Sequence, residues 1–414
     1  MGKTLNFEQN SGKFQSAHGL RSRKIIIISP NGLSDAGGVE RVMLYAYRAL
    51  SEHGFRVDII DQKALSGSNI GRFFSFFKTG PLDFLAQSFG LSILANREHR
   101  SGSFIINNGY SAFFAKSDIL FCHRCIRGAR LAQYRVRSEQ QPSSLSERRA
   151  QIDGHKTSRI TRLIGSLKIF LYGPDEIAEM IAGHRSHIIL AVSEHSQREW
   201  QRYYRLSSSK FKNLPNSVDT EHFQPDLESH KQQSSRQSRI ALRILFIGSL
   251  TYLKGLDRLG ATIEKARQTA KNWEFIIATP SSFNTEKFAS KQNVTIRKGV
   301  SFAELPDLYR SCDVMYFPSI YEGFEMVTLE ALSSGLPVVG TDVGAISVLY
   351  KGGFPGVYRI DPDDFDQISD AFEIAASRWK DPAEKRLLHN LVDANYGIST
   401  WSQKLIEILE AYHD

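Results

Sequence analysis

Residues 313–341 read D-V-M-Y-F-P-S-I-Y-E-G-F-E-M-V-T-L-E-A-L-S-S-G-L-P-V-V-G-T. Asp313 to Pro318 is a short apolar run closed by proline, the pattern of a buried strand. Gly335-Leu-Pro337 stops a helix, and Val338-Val339 starts another strand. The stretch is therefore strand, loop, helix, strand, which is the repeating unit of a parallel sheet. Glu322 falls in the loop at the carboxyl end of the first strand, where open α/β sheets bind ligands. Glu330 falls on the helix that follows. Backbone N–H groups around Glu325, Met326 and Val327 lie at that helix's amino end, where a phosphate is well received. A carboxylate beside each end of such a phosphate site suits a sugar nucleotide, one acid for sugar hydroxyls and the other for ribose hydroxyls.

The same alternation extends in both directions. Lys24–Ser29, Gly54–Ile60, Ser103–Ile106, Asp118–Phe121 and His187–Val192 read as strands of a first half, with helices at Val39–Glu52 and Glu194–Tyr203. A second half restarts at Arg243–Gly248 and continues through Trp273–Ala278, Asn293–Ile296 and the segment already quoted. The domain plan expected is a disordered leader at 1–23, an amino-terminal Rossmann-like domain at 24–220, a polar linker at 221–240, a second Rossmann-like domain at 241–385, and a carboxyl-terminal segment at 386–414. The amphipathic stretch Trp401–Tyr412 lies in that last segment.

The 414 residues, 41% apolar and 23% charged, suit a globular protein of two or three domains. No stretch approaches the roughly 18 uninterrupted apolar residues of a membrane span. The leader lacks the apolar core of a secretory signal. Three cysteines make no disulfide framework, which fits a reducing cytoplasm. Charge is uneven: residues 1–220 hold 31 Lys and Arg against 18 Asp and Glu, a balance of +13, whereas 221–414 hold 21 against 26, a balance of −5. A basic first half points to an anionic partner. No nucleic-acid module is present, so an anionic membrane surface or acidic glycolipid is the expected partner.

The paired glutamates with seven residues between them resemble the E-x7-E element of the retaining family 4 glycosyltransferases. In that family the first Glu opens an E-G-F-G turn; here Glu325 stands at the last glycine. The resemblance implies a GT-B fold, that is, an α/β chain with two Rossmann-like domains whose parallel sheets face a central cleft, and a carboxyl-terminal helix at 386–414 that packs back on the amino-terminal domain. It also implies transfer of a sugar from a UDP- or GDP-linked donor to a hydroxyl of a glycan or lipid-linked acceptor, with retention. No metal and no cofactor are expected. Gly248-Ser-Leu-Thr-Tyr-Leu-Lys254-Gly resembles the family's G-R-L…K-G element, with Ser249 at the arginine. Lys254 would grip the donor diphosphate and neutralise the charge that grows as the sugar leaves. Ser249 supplies a hydroxyl where guanidinium would give two fixed-charge contacts.

Further donor contacts implied are Gly37 and Gly38 in the loop after the first strand, and Asn216 in Leu214-Pro-Asn-Ser-Val-Asp219. Gly323, Phe324, Glu325, Met326 and Val327 complete the turn between Glu322 and Glu330. His123, just past a strand, would meet the transferred sugar and acceptor. Glu322, Lys254 and His123 are thus the residues expected to carry catalysis. Cys122-His-Arg-Cys125 has no second ligand pair at zinc-site spacing. Asp361-Pro-Asp363 reads as a turn and helix cap. Eleven Lys and Arg between 124 and 168, near the aromatic run Arg72–Phe77, suit attachment to the inner face of a cell membrane. Cell-surface polysaccharide or lipopolysaccharide synthesis is the setting expected. The alternatives are a catalytically weak sugar-nucleotide-binding partner of another transferase, or a GT-B sugar-nucleotide epimerase.

Overall fold

A computed structural model describes residues 21–35, 37–74, 81–139, 172–226 and 241–412. Most of the leader, the linker beyond residue 226 and most of the basic stretch 124–168 fall outside these residues, as does half of the aromatic run at 72–77. The chain divides into two units. One takes the described part of Met1–His123, Ala178–Asp219 and Asp393–Asp414; the other takes Arg124–Ile177 and Thr220–Val392. The sequence reading carried its first domain unbroken to 220. Residues after His123 group with the second unit, where Cys125 N donates to Tyr321 Oη at 3.1 Å and Tyr321 Oη donates to Cys125 O at 3.0 Å.

The first unit is built on a parallel sheet in the order β2-β1-β3-β4-β5-β6. Its strands are β1 (Ile25–Ile28), β2 (Val57–Ile60), β3 (Phe104–Asn108), β4 (Ser117–Cys122), β5 (Ser186–Ala191) and β6 (Phe211–Asn213). β1, β3 and β4 are buried along their whole length, as expected for parallel strands covered on both faces. Helices α1 (Gly38–Glu52), α2 (Gln62–Ser66), α3 (Asn69–Phe74) and α4 (Pro81–Arg100) lie between β1 and β3 in sequence. Leu65 of α2 and Leu91 and Ala95 of α4 join Ile26, Ile28, Ile60 and Ile105 in one core. After β4 the chain forms α5 (Ile126–Glu139), which groups with the second unit, and α6 (Pro174–Arg185), most of which returns to the first; α7 (Glu194–Tyr204) joins β5 to β6.

The second unit carries its own parallel sheet, ordered β12-β11-β10-β7-β8-β9. Its strands are β7 (Leu242–Ile247), β8 (Trp273–Thr279), β9 (Val294–Lys298), β10 (Val314–Phe317), β11 (Val338–Gly340) and β12 (Val357–Arg359). The helices are α8 (Leu256–Gln268), α9 (Glu286–Ala289), α10 (Leu305–Arg310), α11 (Met326–Ser333), α12 (Gly344–Lys351), α13 (Phe365–Arg378) and α14 (Pro382–Tyr396). Leu259 and Ile263 of α8 and Ile368 and Phe372 of α13 bury against Ile244, Phe275 and Tyr316 on one face of the sheet. Each such side chain contributes about 1.5–3 kcal/mol by leaving water. Phe372 also stands edge-on to Trp273 and Tyr316, at ring-centroid distances of 5.3 and 5.2 Å.

The last helix, α15 (Ile398–Ala411), packs on α1 within the first unit. Val218 N donates to Tyr396 O at 3.0 Å just ahead of it. The sequence reading missed β6 and β12, three-residue strands at the sheet edges, too short to show a period.

Strand order is what builds the site. The chain leaves β7 toward β8 and β9, then crosses back to place β10 on β7's other side, with Val314 opposite Ile244. Loops leaving β7 and β10 therefore diverge from neighbouring strands at a topological switch point, where α/β sheets open a crevice.

Candidate functional site

The loop after β7 is a tight turn. Thr251 O accepts from Lys254 N at 3.1 Å and from Leu256 N at 3.2 Å, closing a 3₁₀ turn over Tyr252–Lys254. Gly255 follows with φ +77°, and a Cβ there would overlap the Pro318 carbonyl, so only glycine lets this turn lie against the end of β10. The two loops are also tied by hydrogen bonds. Ile320 N donates to Leu253 O at 2.8 Å, and Arg258 Nη1 donates to Pro318 O and Ser319 O, both at 3.1 Å.

These ties bring Lys254 Nζ to 2.7 Å from Glu322 Oε1. Ser319 Oγ donates to the same oxygen at 3.0 Å. The Lys254 side chain is 30% exposed and that of Glu322 13%, so the pair is open enough to meet a ligand yet shielded from bulk water.

Glu325 sits at the N-cap of α11 in extended backbone, but its carboxylate does not cap that helix. Instead Oε2 accepts from Ala345 N at 2.9 Å, at the amino end of α12, and Oε1 accepts from Thr328 Oγ1 at 2.6 Å. Gly344 has φ +55°, and a Cβ there would collide with Glu325 Oε2 and Glu322 Cβ. Burial first, and then the neighbouring Glu322 charge, push the Glu325 carboxyl up to about 7, against the pull of its two hydrogen bonds. Its side chain thus occupies one helix terminus and leaves the first N–H groups of α11, at Met326 and Val327, without a side-chain cap. Gly323 and Phe324 are buried beneath this turn.

Glu330 is 1% exposed, on the inner side of α11, and Tyr309 Oη of α10 donates to its Oε2 at 2.8 Å. Ser249 is half-buried in the β7 loop, its carbonyl accepting from Thr251 N at 2.8 Å. The second unit therefore gathers Lys254, Glu322 and Glu325 around one switch point.

The other predicted residues belong to the first unit. Gly37 is the N-cap of α1 and Gly38 its first residue. Glu40 folds back over Gly37, where a Cβ would overlap its Oε2, and Asn31 Nδ2 donates to Glu40 Oε1 at 2.8 Å. The chain's own carboxylate thus stands beside the helix end expected to meet phosphate. His123 follows β4, with Nε2 hydrogen-bonded to Asn108 Oδ1 at 2.8 Å. Asn216 is buried, 7% exposed. Asp361 Oδ1 accepts from Asp363 N at 3.0 Å in a turn, and the cap of α13 falls to Asp364. Among the described residues no group of three or more His, Cys, Asp or Glu is arranged to hold a metal.

Arg258, Tyr309, Thr328, Gly344 and Ala345 were missed in the sequence reading. Gly340-Thr-Asp-Val-Gly-Ala345 carries the same strand–glycine–helix pattern as the loops already singled out, and that was the available signal. A cavity of about 500 Å³ opens at the carboxyl ends of β10, β11 and β12, lined in part by Arg258, Ser319, Asp342, Tyr350 and Arg359. It shares Ser319 with the Lys254–Glu322 pair.

Two parallel sheets of this topology occur in solved structures. Sucrose-phosphate synthase from Thermosynechococcus elongatus superposes with a TM-score of 0.63 at 16% identity, covering 94% of this chain and 98% of the other. Anabaena HepE in complex with UDP and glucose superposes with a TM-score of 0.61 at 14% identity, covering 94% and 100%.

The fold is GT-B. Within this GT-B chain, residues 241–377 match the family model "Glycosyl transferases group 1". That span holds Lys254, Glu322, Glu325 and Glu330. An uncharacterized glycosyltransferase of Methanocaldococcus jannaschii is 28% identical over 224 residues, 50% of this chain and 57% of the relative. The lipopolysaccharide core biosynthesis mannosyltransferase LpsB of Rhizobium meliloti is 28% identical over 161 residues, 35% of this chain and 46% of the relative. The GT-B chain thus spans about half the length of the curated relatives it matches.

Proposed function

We propose that this chain is a retaining glycosyltransferase of the family 4 kind, moving a sugar from a UDP- or GDP-linked donor to a hydroxyl of a glycan or lipid-linked acceptor. The observation that carries the reading is the Lys254–Glu322 ion pair, 2.7 Å long, beside the uncapped amino end of α11. A lysine and a row of N–H groups suit a diphosphate, and a carboxylate at the same point suits sugar hydroxyls. The family match over 241–377 and the relatives named above support this reading.

In the proposed reaction the donor diphosphate draws Lys254 away from Glu322. Glu322 then accepts from hydroxyls of the donor sugar, while Glu330, aligned by Tyr309, serves the ribose. As the bond to the anomeric carbon breaks, Lys254 and the N–H groups of Met326 and Val327 hold the negative charge gathering on the diphosphate. The departing diphosphate oxygen takes the acceptor's proton on the same face, which preserves the anomeric configuration. Neither a resident metal nor a cofactor enters this scheme. The setting proposed is synthesis of a cell-surface polysaccharide or lipopolysaccharide, on the cytoplasmic face of a membrane. No helix among the described residues is long and apolar enough to cross one.

The test is a thermal-shift screen against UDP, GDP and their common sugar conjugates, followed by nucleotide-release assays and NMR of the product's anomeric configuration. A ligand at 100 times its dissociation constant stabilises by about 2.7 kcal/mol. Binding and turnover with retention are expected. One observation favours a second reading: Ser249 leaves the β7 loop without a guanidinium. Binding of a nucleotide sugar with no turnover would support a weak sugar-nucleotide-binding partner instead, and no binding at all would reject both.

A further inference from the structure

The side chain of Glu325 is the one carboxylate of this cluster that the proposed reaction does not use. It is 7% exposed. It reaches out of its own helix to Ala345 N at the amino end of α12, and a Cβ on Gly344 would collide with its Oε2. We infer that Glu325 is a positioning residue of the donor site that becomes fully protonated, drawing the missing fraction of a proton from solvent, when a nucleotide sugar binds. This inference rests on the donor-site reading above.

The geometry gives the reason. Glu325 immediately precedes Met326 and Val327, whose N–H groups are placed to receive the diphosphate, so the donor's negative charges arrive beside a buried carboxylate. From the preceding loop it faces Glu322, whose charge is offset by Lys254 in the free protein. When Lys254 turns to the diphosphate, that offset is lost. From α12 the group facing Glu325 is the Ala345 N–H; Lys351, on the last turn of that helix, is held by Ser347 Oγ at 2.9 Å and lies near Asp342 at 3.9 Å. On its own helix the neighbour is the Thr328 hydroxyl, while Glu330 is engaged by Tyr309 of α10. A buried carboxylate beside added negative charge favours its neutral form.

The neutral form keeps both hydrogen bonds. Oε2 still accepts from Ala345 N, and a proton on Oε1 is donated to Thr328 Oγ1, whose own hydrogen turns away. The turn before α11 therefore holds its shape while its charge falls by one. Glu325 already lies near 7 before any donor arrives, through burial and then Glu322, so the proton is taken up in the neutral range.

The experiment is isothermal titration calorimetry of the full chain with UDP-glucose and GDP-mannose, whose diphosphates carry no group titrating near neutrality. Titrations at pH 7 in PIPES and in Tris, which differ in ionisation heat, count the protons. The wild type should show buffer-dependent heat corresponding to proton uptake, with affinity falling about five- to tenfold between pH 6 and pH 8. Glu325→Gln, whose amide accepts from Ala345 N and donates to Thr328, should bind with affinity independent of pH and no uptake. Buffer-independent heat in the wild type overturns the inference while leaving the donor site standing, and so does uptake that persists in Glu325→Gln. Absence of binding by the wild type overturns the donor-site reading together with it. The wild-type buffer comparison decides the matter even if the variant folds poorly.

Discussion

Replacing Lys254 by alanine acts on two charges at once, and the structure separates them. The ammonium lies 2.7 Å from Glu322 Oε1. Its proposed task is to leave that carboxylate for the donor diphosphate. A hydrogen bond to a charged group is worth about 1.5–3 kcal/mol, so its loss alone weakens nucleotide-sugar binding about 10- to 150-fold. The variant also strands Glu322, only 13% exposed, beside the incoming anion. Two like charges about 4 Å apart in an effective dielectric of about 20 repel by at most about 4 kcal/mol. Lys254→Ala should therefore cost well over 100-fold in wild type. In a Glu322→Gln background, where no charge is stranded, the same change should cost only the first amount. Calorimetric titration of the four proteins of this cycle measures the coupling, expected to be at least about 1 kcal/mol. An equal cost of Lys254→Ala in both backgrounds would refute the reasoning, because the pair would not then meet the donor's charge.

Gly344→Ala should destabilise the chain by about 2–4 kcal/mol, from left-handed backbone strain and from displacing Glu325 off Ala345 N; urea unfolding should show much of that loss recovered on adding Glu325→Ala. For Glu325 itself the pH dependence of stability has a definite sign. Below about pH 4.5 the carboxyl is protonated in both states. As pH rises from there to about 7 the unfolded chain releases a proton that the folded chain keeps, so stability falls across that window by about 3 kcal/mol. Glu325→Gln should lose this dependence and gain on the wild type between pH 5 and pH 8; a stability difference that stays flat over that range contradicts it. Tyr309→Phe removes a donor from a carboxylate that is 1% exposed, and should cost about 1–3 kcal/mol by thermal unfolding, with weaker nucleotide binding if Glu330 serves the ribose.

The sequence by itself determined the class of fold and the loops in which to look. Strands buried on both faces are near-continuous apolar runs, so Ile25–Ile28 and Val314–Phe317 were legible without partners. Glycine and proline marked where they turn into helices, which put Glu322, Glu325 and Lys254 in loops at strand ends. Tertiary structure alone decided which loops meet. Lys254 and Glu322 are 68 positions apart and become an ion pair because β10 pairs with β7 rather than with β9. That choice is made by long-range packing on which local pattern has no bearing. The reach of Glu325 to Ala345, the burial of Glu330 under Tyr309 and the folding of Glu40 over Gly37 are of the same kind. Each depends on where a side chain finds a hydrogen-bond partner contributed by a neighbouring element or turn, and periodicity records only which face of an element is apolar.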